Sequence, residues 1–297
     1  MADRRRLGKM LEYLVEGVAG WLCYGFFRLL PLDWASAFGG WLARSIGPYT
    51  GASKRARINL RRAMPELSQS EIERIIAGMW DNLGRAGAEF PHLGAFKVYE
   101  PGGRVSVEGV REIIDHRGPA TRFIFFSAHF GNWEIAPLAA TQAGLAVLEI
   151  YRAANNPFID EILAHARSAA GGELAPKGSA AARRAVAALA EGKHICMLVD
   201  QKMNDGIAVP FFGRDAMTAP ALARLALHYD CVVVPCRVER VKGATFHLVA
   251  EKPIPLPRSG DLQADIKTLM TEVNATVERW VRRHPEQWFW VHKRWPD

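Results

Sequence analysis

The sequence predicts an α/β protein with a mostly parallel central sheet and helices on both faces, preceded by a helical, membrane-associating region. Three observations predict it. After residue 100, short β-rich runs alternate with helix-length stretches, the pattern of a parallel sheet wrapped by helices. Two of those runs, 123–126 and 195–199, are continuously apolar, as strands buried on both faces must be. Residues 8–90, by contrast, read as helix almost throughout. At 297 residues, 49% hydrophobic and 23% charged, the chain can build a large core. The expected organisation is a helical region over residues 1–95 and an α/β domain over 96–297, forming one continuous globular unit.

The helical region opens with the basic cluster Arg4, Arg5, Arg6 and Lys9. The following apolar stretch, 10–32, is interrupted by Glu12, Glu16 and Arg28, so only residues 17–27 are uncharged; spanning a bilayer takes about 20 residues. No small-residue cleavage site follows cleanly. The stretch carries Trp21, Tyr24, Phe26 and Phe27, rings that favour the headgroup level, and it reads as an in-plane anchor. Packing on the protein's own core, or a tilted helix with snorkelling charges, are the alternatives. Residues 34–46 give a second aromatic helix ending near Gly47 and Pro48, and Lys54, Arg55, Arg57, Arg61 and Arg62 form a second basic cluster. Ser68 and Glu71 make a capping box ahead of the periodic run Ile72, Ile75, Ile76, Met79, Leu83. Pro91 and Gly94 then mark a break.

In the second region the strand candidates are 105–107, 123–126, 146–151, 195–199, 232–238 and 246–250. Helical patterns lie at 133–143, 180–191 and 219–229, and a long final helix runs from 262 to 283, ahead of Pro285. Lys and Arg total 38 against 31 acidic residues, a net charge of +7, which points to an anionic partner. Nucleic acid is excluded as that partner, because no helix-turn-helix spacing, zinc pattern or RNP-like strand is present. Cys23, Cys196, Cys231 and Cys236 contain no C-x-x-C pair and read as small buried hydrophobes in a reducing compartment. No metal or organic cofactor is indicated.

Ligands of open α/β sheets bind beyond the carboxyl ends of the strands, and there the sequence reads Ser127-Ala128-His129-Phe130-Gly131-Asn132-Trp133-Glu134. His129 falls at a strand end, and Glu134 falls in the first turn of the next helix. A tight turn can bring the two side chains together, so that the carboxylate fixes one imidazole nitrogen and leaves the other as a base; the alternative is a helix-capping Glu beside a satisfied histidine. No G-x-S-x-G nucleophile motif exists, which suits attack by a substrate hydroxyl on an already activated thioester. The spacing alone is weak, since His292 and Asp297 share it; that pair, at the very C-terminus with no helix after it, is set aside.

The block 127–134 resembles the acyltransferase box of the bacterial lipid A biosynthesis late acyltransferases, the lauroyl/myristoyl transferase family. Further blocks agree in order: Tyr151-Arg152 with Asn156-Pro157, then Asp200-Gln201 with Val209-Pro210-Phe211-Phe212-Gly213, and the ending Pro285-Glu286-Gln287-Trp288-Phe289-Trp290-Val291-His292-Lys293-Arg294-Trp295. The likeness covers residues 10–297. One departure is the N-terminal anchor, which Glu16 and Arg28 interrupt.

The resemblance implies a glycerol-phosphate-acyltransferase-like αβα fold and transfer of an acyl chain from acyl-acyl-carrier protein to a hydroxyl of a 3-hydroxyacyl chain. The acceptor would be a Kdo-bearing lipid A precursor, at the cytoplasmic face of the bacterial inner membrane. It implies His129 as general base and Glu134 as its orienting partner. Oxyanion donors are the backbone N–H groups around Gly131 and Asn132, or Arg152, whose other readings are phosphate binding and a plain ion pair. Asp200 either positions Arg152, contacts sugar hydroxyls or holds a turn. Phe211 and Phe212 either wall an acyl groove or belong to the core. The competing functions are acylation of another phosphorylated lipid, a glycerolipid or phosphoinositide mannoside, and a non-enzymatic peripheral membrane role.

Overall fold

A computed structural model describes residues 2–115, 118 and 120–296. Four helices come first: α1 (Ala2–Leu29), α2 (Leu32–Ile46), α3 (Gly51–Ala63) and α4 (Gln69–Glu89). The capping box at α4 forms as its sequence requires, with Ser68 Oγ accepting from the Glu71 N–H and the Glu71 carboxylate accepting from the Ser68 N–H. A 3₁₀ turn at Phe90–Ala95 supplies the break at Pro91 and Gly94.

The remainder alternates as expected: β1 (Val105–Glu108), α5 (Val110–Asp115), β2 (Phe123–Ser127), α6 (Ile135–Gln142), β3 (Val147–Tyr151), α7 (Pro157–Ser168), β4 (Glu173–Pro176), α8 (Ser179–Ala190) and β5 (His194–Leu198). Then come β6 (Lys202–Phe211), β7 (Arg214–Thr218), α9 (Ala221–Tyr229), β8 (Val232–Lys242), β9 (Thr245–Ala250) and α10 (Leu262–Arg283). Seven strands make one sheet in the order β1-β9-β8-β2-β5-β3-β4, parallel at every pairing except the β8–β9 hairpin. β6 and β7 form a separate antiparallel ribbon.

The apolar strands divide their side chains between two cores, one on each face of the sheet. Ile124, Phe126, Leu148 and Ile195 join one cluster with the α10 face and the C-terminal tryptophans. Phe123, Phe125, Val147, Cys196 and Val234 join the other, with α6 and the 90–98 segment. This period-2 division is why runs without polar alternation still register as strands.

The helical region packs on the α/β part. Asn156 caps α7 and also donates to the Tyr13 carbonyl and to Glu16 on α1. α2 turns its small residues to α4, where Gly39 and Gly84 approach so closely that a Cβ on Gly39 would meet the Gly84 carbonyl at 2.5 Å. No helix among the described residues is long and apolar enough to cross a membrane. Three expectations shift: α6 starts at Ile135 rather than at Trp133, α5, α7, β4, β6 and β7 are additional elements, and Cys23 is exposed while the other cysteines are buried.

Candidate active site

β2 and β5 run parallel side by side and deliver their carboxyl ends together, Ser127 pairing with Leu198. Beyond them lie His129 and Asp200. After His129 the chain reverses through Gly131, whose φ of +58° and whose missing Cβ both matter, since a Cβ there would stand 1.8 Å from the Val238 carbonyl oxygen. The C-terminal segment straps this turn. Gln287 accepts from the Gly131 N–H at 3.0 Å, and the Phe289 N–H donates to the His129 carbonyl at 3.2 Å. Asn59 on α3 then clamps the strap by donating to the Trp290 and His292 carbonyls.

The carboxylate that meets the His129 imidazole is Asp200, not Glu134. His129 Nδ1 lies 2.8 Å from Asp200 Oδ1, and the His129 backbone N–H donates to Oδ2 at 2.9 Å. Trp288 Nε1 donates to the same oxygen at 2.8 Å. Burial would raise the Asp200 pKa, but the His129 imidazole and these hydrogen bonds outweigh it and hold the carboxyl well below its ordinary range. An ionised Asp200 keeps the proton on Nδ1 and leaves the Nε2 lone pair free. The Gln201 amide nitrogen lies 3.4 Å from that Nε2.

Glu134 faces elsewhere. Arg167 on α7 donates to it twice, at 2.8 and 2.7 Å, and Trp133 Nε1 donates to it at 2.8 Å. The physical reason is the turn itself: with Gly131 in the left-handed region and Glu134 at the N-cap of α6, the carboxylate points into the layer between sheet and α7. Glu149 on β3 shares Arg167 at 3.4 Å. Its pKa is pushed up to about 8, first by burial and then by the Glu134 carboxylate, against the pull of Arg167.

Other expected site residues also move. The Gly131 N–H is committed to Gln287, so it is not a free oxyanion donor. The Asn132 side chain is buried, donating to Glu89 and accepting from the Glu134 N–H. Arg152 is exposed just past β3, and among the described residues no carboxylate pairs with it. Phe211 and Phe212 are 1% and 4% exposed and pack among Trp288, Trp290 and Trp295, which makes them core residues rather than walls of an open groove.

One residue set aside in the sequence belongs here. His292 stands with its ring centroid 5.0 Å from that of His129 and its Nε2 3.9 Å from Asp200 Oδ2. Burial first, then the neighbouring His129 and the Arg294 and Arg152 charges, lower its pKa to about 3, so it is a neutral imidazole. Its former partner in spacing, Asp297, lies outside the described residues. His129, Asp200 and His292 place ligand atoms within 4.8 Å of one another, close enough to hold a metal ion. Both Asp200 oxygens are already satisfied by N–H donors, so the geometry of the pair is accounted for without one.

The family model of bacterial lipid A biosynthesis acyltransferases matches residues 4–297. The chain belongs to that family. Similar proteins include the lipid A biosynthesis myristoyltransferase of Escherichia coli K12, 26% identical over 242 residues, covering 81% of this chain and 74% of that one. Lipid A biosynthesis acyltransferase 2 of Shigella flexneri is 26% identical over 247 residues, covering 82% and 77%. The E. coli lauroyltransferase is 24% identical over 254 residues, covering 81% and 79%. This lipid A biosynthesis family member is therefore an O-acyltransferase enzyme. Within it, three of the sequence blocks converge on one place: the strap 285–295 closes the 127–134 turn, and Asp200 ties both to the end of β5.

Proposed function

We propose that the protein moves a fatty acyl chain from acyl-acyl-carrier protein to the hydroxyl of a 3-hydroxyacyl chain on a Kdo-bearing lipid A precursor, at the cytoplasmic face of the inner membrane. The observation that carries this reading is the His129–Asp200 pair at the carboxyl ends of β2 and β5. His129 Nε2 takes the proton of the acceptor hydroxyl as its oxygen attacks the thioester carbonyl carbon. The tetrahedral intermediate collapses with loss of the carrier thiolate, which takes the proton back from the imidazolium. Asp200 stabilises the imidazolium in between without itself becoming protonated. Arg152, for which no ion pair is found among the described residues, is the cation assigned to this chemistry. Its proposed role is to meet the oxyanion or a phosphate; its charge is felt at the site, lowering the pKa of His292 and, after burial, that of Lys177.

The membrane surface is the second part of the reading. Its support is the concentration of exposed apolar side chains on α1 and α2, Trp21, Leu22, Phe26, Trp34 and Trp41 among them. The stripe of small residues on α2 is what packs inward, so the aromatic face is left outside.

The test uses purified wild type, His129→Ala and Asp200→Asn in detergent, with lipid A precursor and acyl-acyl-carrier proteins of graded chain length, read by mass spectrometry. Wild type gains the mass of one acyl chain, and His129→Ala loses about 10²–10⁴-fold in rate. No product with any chain length moves the acceptor to another phosphorylated lipid. An active His129→Ala overturns the mechanism.

A further inference from the structure

Glu134 lies five residues after His129, yet its carboxylate, 2% exposed, spends its hydrogen bonds on Arg167 and on the indole N–H of Trp133. The Trp133 ring in turn lies against the His129 imidazole, centroids 5.0 Å apart and planes at 56°. Arg167 is itself fixed: it sits in the last turn of α7, with its guanidinium 5.1 Å from the Tyr151 ring and 5.8 Å from the Phe90 ring. Asp200 holds one edge of the imidazole. The His292 and Phe289 rings lie 5.0 and 6.3 Å from the same imidazole; an edge contact alone leaves the ring free to tilt about that bond, a freedom that the Trp133 face helps to remove.

We infer that Glu134 is a positioning residue for His129, acting through the indole of Trp133, with Arg167 as the anchor that fixes the carboxylate. The acid of the H-x-x-x-x-E spacing then sets where the base sits, while Asp200 sets its tautomer and charge. For its kinetic readout this inference rests on the acyl-transfer reading above; its labelling readout does not.

The experiment compares Glu134→Ala, Glu134→Gln, Trp133→Phe, the Trp133→Phe/Glu134→Ala double variant and Asp200→Asn. The first readout is carbethoxylation of His129 by diethyl pyrocarbonate, followed by peptide mass spectrometry, which needs no substrate. The second is kcat, KM and the pH–rate profile with acyl-acyl-carrier protein. Glu134→Ala and Trp133→Phe each change the His129 labelling rate severalfold and lower kcat about ten- to hundredfold with KM unchanged. The double variant is no worse than the worse single one, because both act through one contact. Glu134→Gln, which keeps an oxygen for the indole, recovers most of the loss. Only Asp200→Asn displaces the acidic limb of the profile.

If Glu134→Gln is as impaired as Asp200→Asn and displaces the same limb, Glu134 orients His129 directly and the inference falls. Additive losses in the double variant overturn it as well. If wild type transfers no acyl chain, the acyl-transfer reading fails on its own. Equal, non-additive labelling changes then still uphold the positioning role, and unchanged labelling sinks it. Should Glu134→Ala melt at the assay temperature, Trp133→Phe and Glu134→Gln decide the matter by the same two readouts.

Discussion

Arg167 is asked to neutralise two buried carboxylates, Glu134 through two hydrogen bonds and Glu149 at 3.4 Å. One positive charge cannot serve both in a site this dry, so Glu149 keeps its proton, its pKa raised from 4.5 to about 8. A carboxyl that holds its proton more tightly folded than unfolded stabilises the fold fully below the unfolded value. That contribution fades as pH climbs through the folded value, so stability falls between about pH 4.5 and 8. Glu149→Gln mimics the protonated form at every pH. Its thermal midpoint should match wild type at pH 4, below the unfolded value, and exceed it at pH 9 by an amount on the order of 1 kcal/mol or more; an equal difference between the two proteins at both pH values would sink the assignment. The same cluster shows what the sequence could and could not disclose. His129 was legible because a strand end beside a tight turn is where an α/β sheet puts its chemistry. Its true partner was not, because Asp200 reaches it across 71 positions of sequence through a strand pairing that no local spacing encodes. Arg167 gave no signal at all, being one basic residue among several in the last turns of helices.

Elements were legible in proportion to their length and period. α4 and α10, with a cap and a sustained apolar stripe, are where the sequence puts them. β4 is only four residues at the sheet edge, and the β6–β7 ribbon joins the mostly polar stretch 202–205 to the apolar run 207–212, so no single period announces either. The strap 285–295 illustrates a further limit: its aromatic and basic residues mark it plainly, but its task is to hold another element, and that appears only when both are in place. Gly131 tests how much the strap and turn depend on each other. Alanine there must bear the left-handed conformation and also push the Val238 carbonyl away from a Cβ placed at 1.8 Å. Gly144 is the control, because its φ of +86° is similar but a Cβ there meets nothing within 4 Å. Gly144→Ala should cost about 1–2 kcal/mol, and Gly131→Ala clearly more, with activity lost alongside. Denaturant melts of the two variants measure the difference; equal losses would mean that the turn yields easily and the strap does not clamp it.

At the scale of the whole molecule, the exposed large apolar side chains gather at one end of the chain rather than scattering. Met10, Leu14, Val18 and Leu22 follow one another at four-residue steps along α1, and Trp34, Phe38 and Trp41 continue the surface on α2. An exposed patch of this kind marks an interaction site, and rings followed in the chain by the exposed Lys54, Arg61 and Arg62 charges suit an anionic bilayer surface. The inward face of α2 is built from Ala35, Ser36, Gly39 and Gly40, so removing the outward rings leaves the α2–α4 contact intact. That separation makes the proposal testable without unfolding the protein. Trp34→Ser/Trp41→Ser should keep the wild-type melting temperature and lose partitioning onto vesicles of phosphatidylethanolamine and phosphatidylglycerol. Each ring removed from an apolar contact is worth up to about 1.5–3 kcal/mol, so flotation should show at least a tenfold drop, about 1.4 kcal/mol. High salt should weaken wild-type binding only in part, since the apolar share is not screened. If the double variant floats as well as wild type, the aromatic face of α2 does not meet the bilayer and another surface must bring the acceptor lipid to His129.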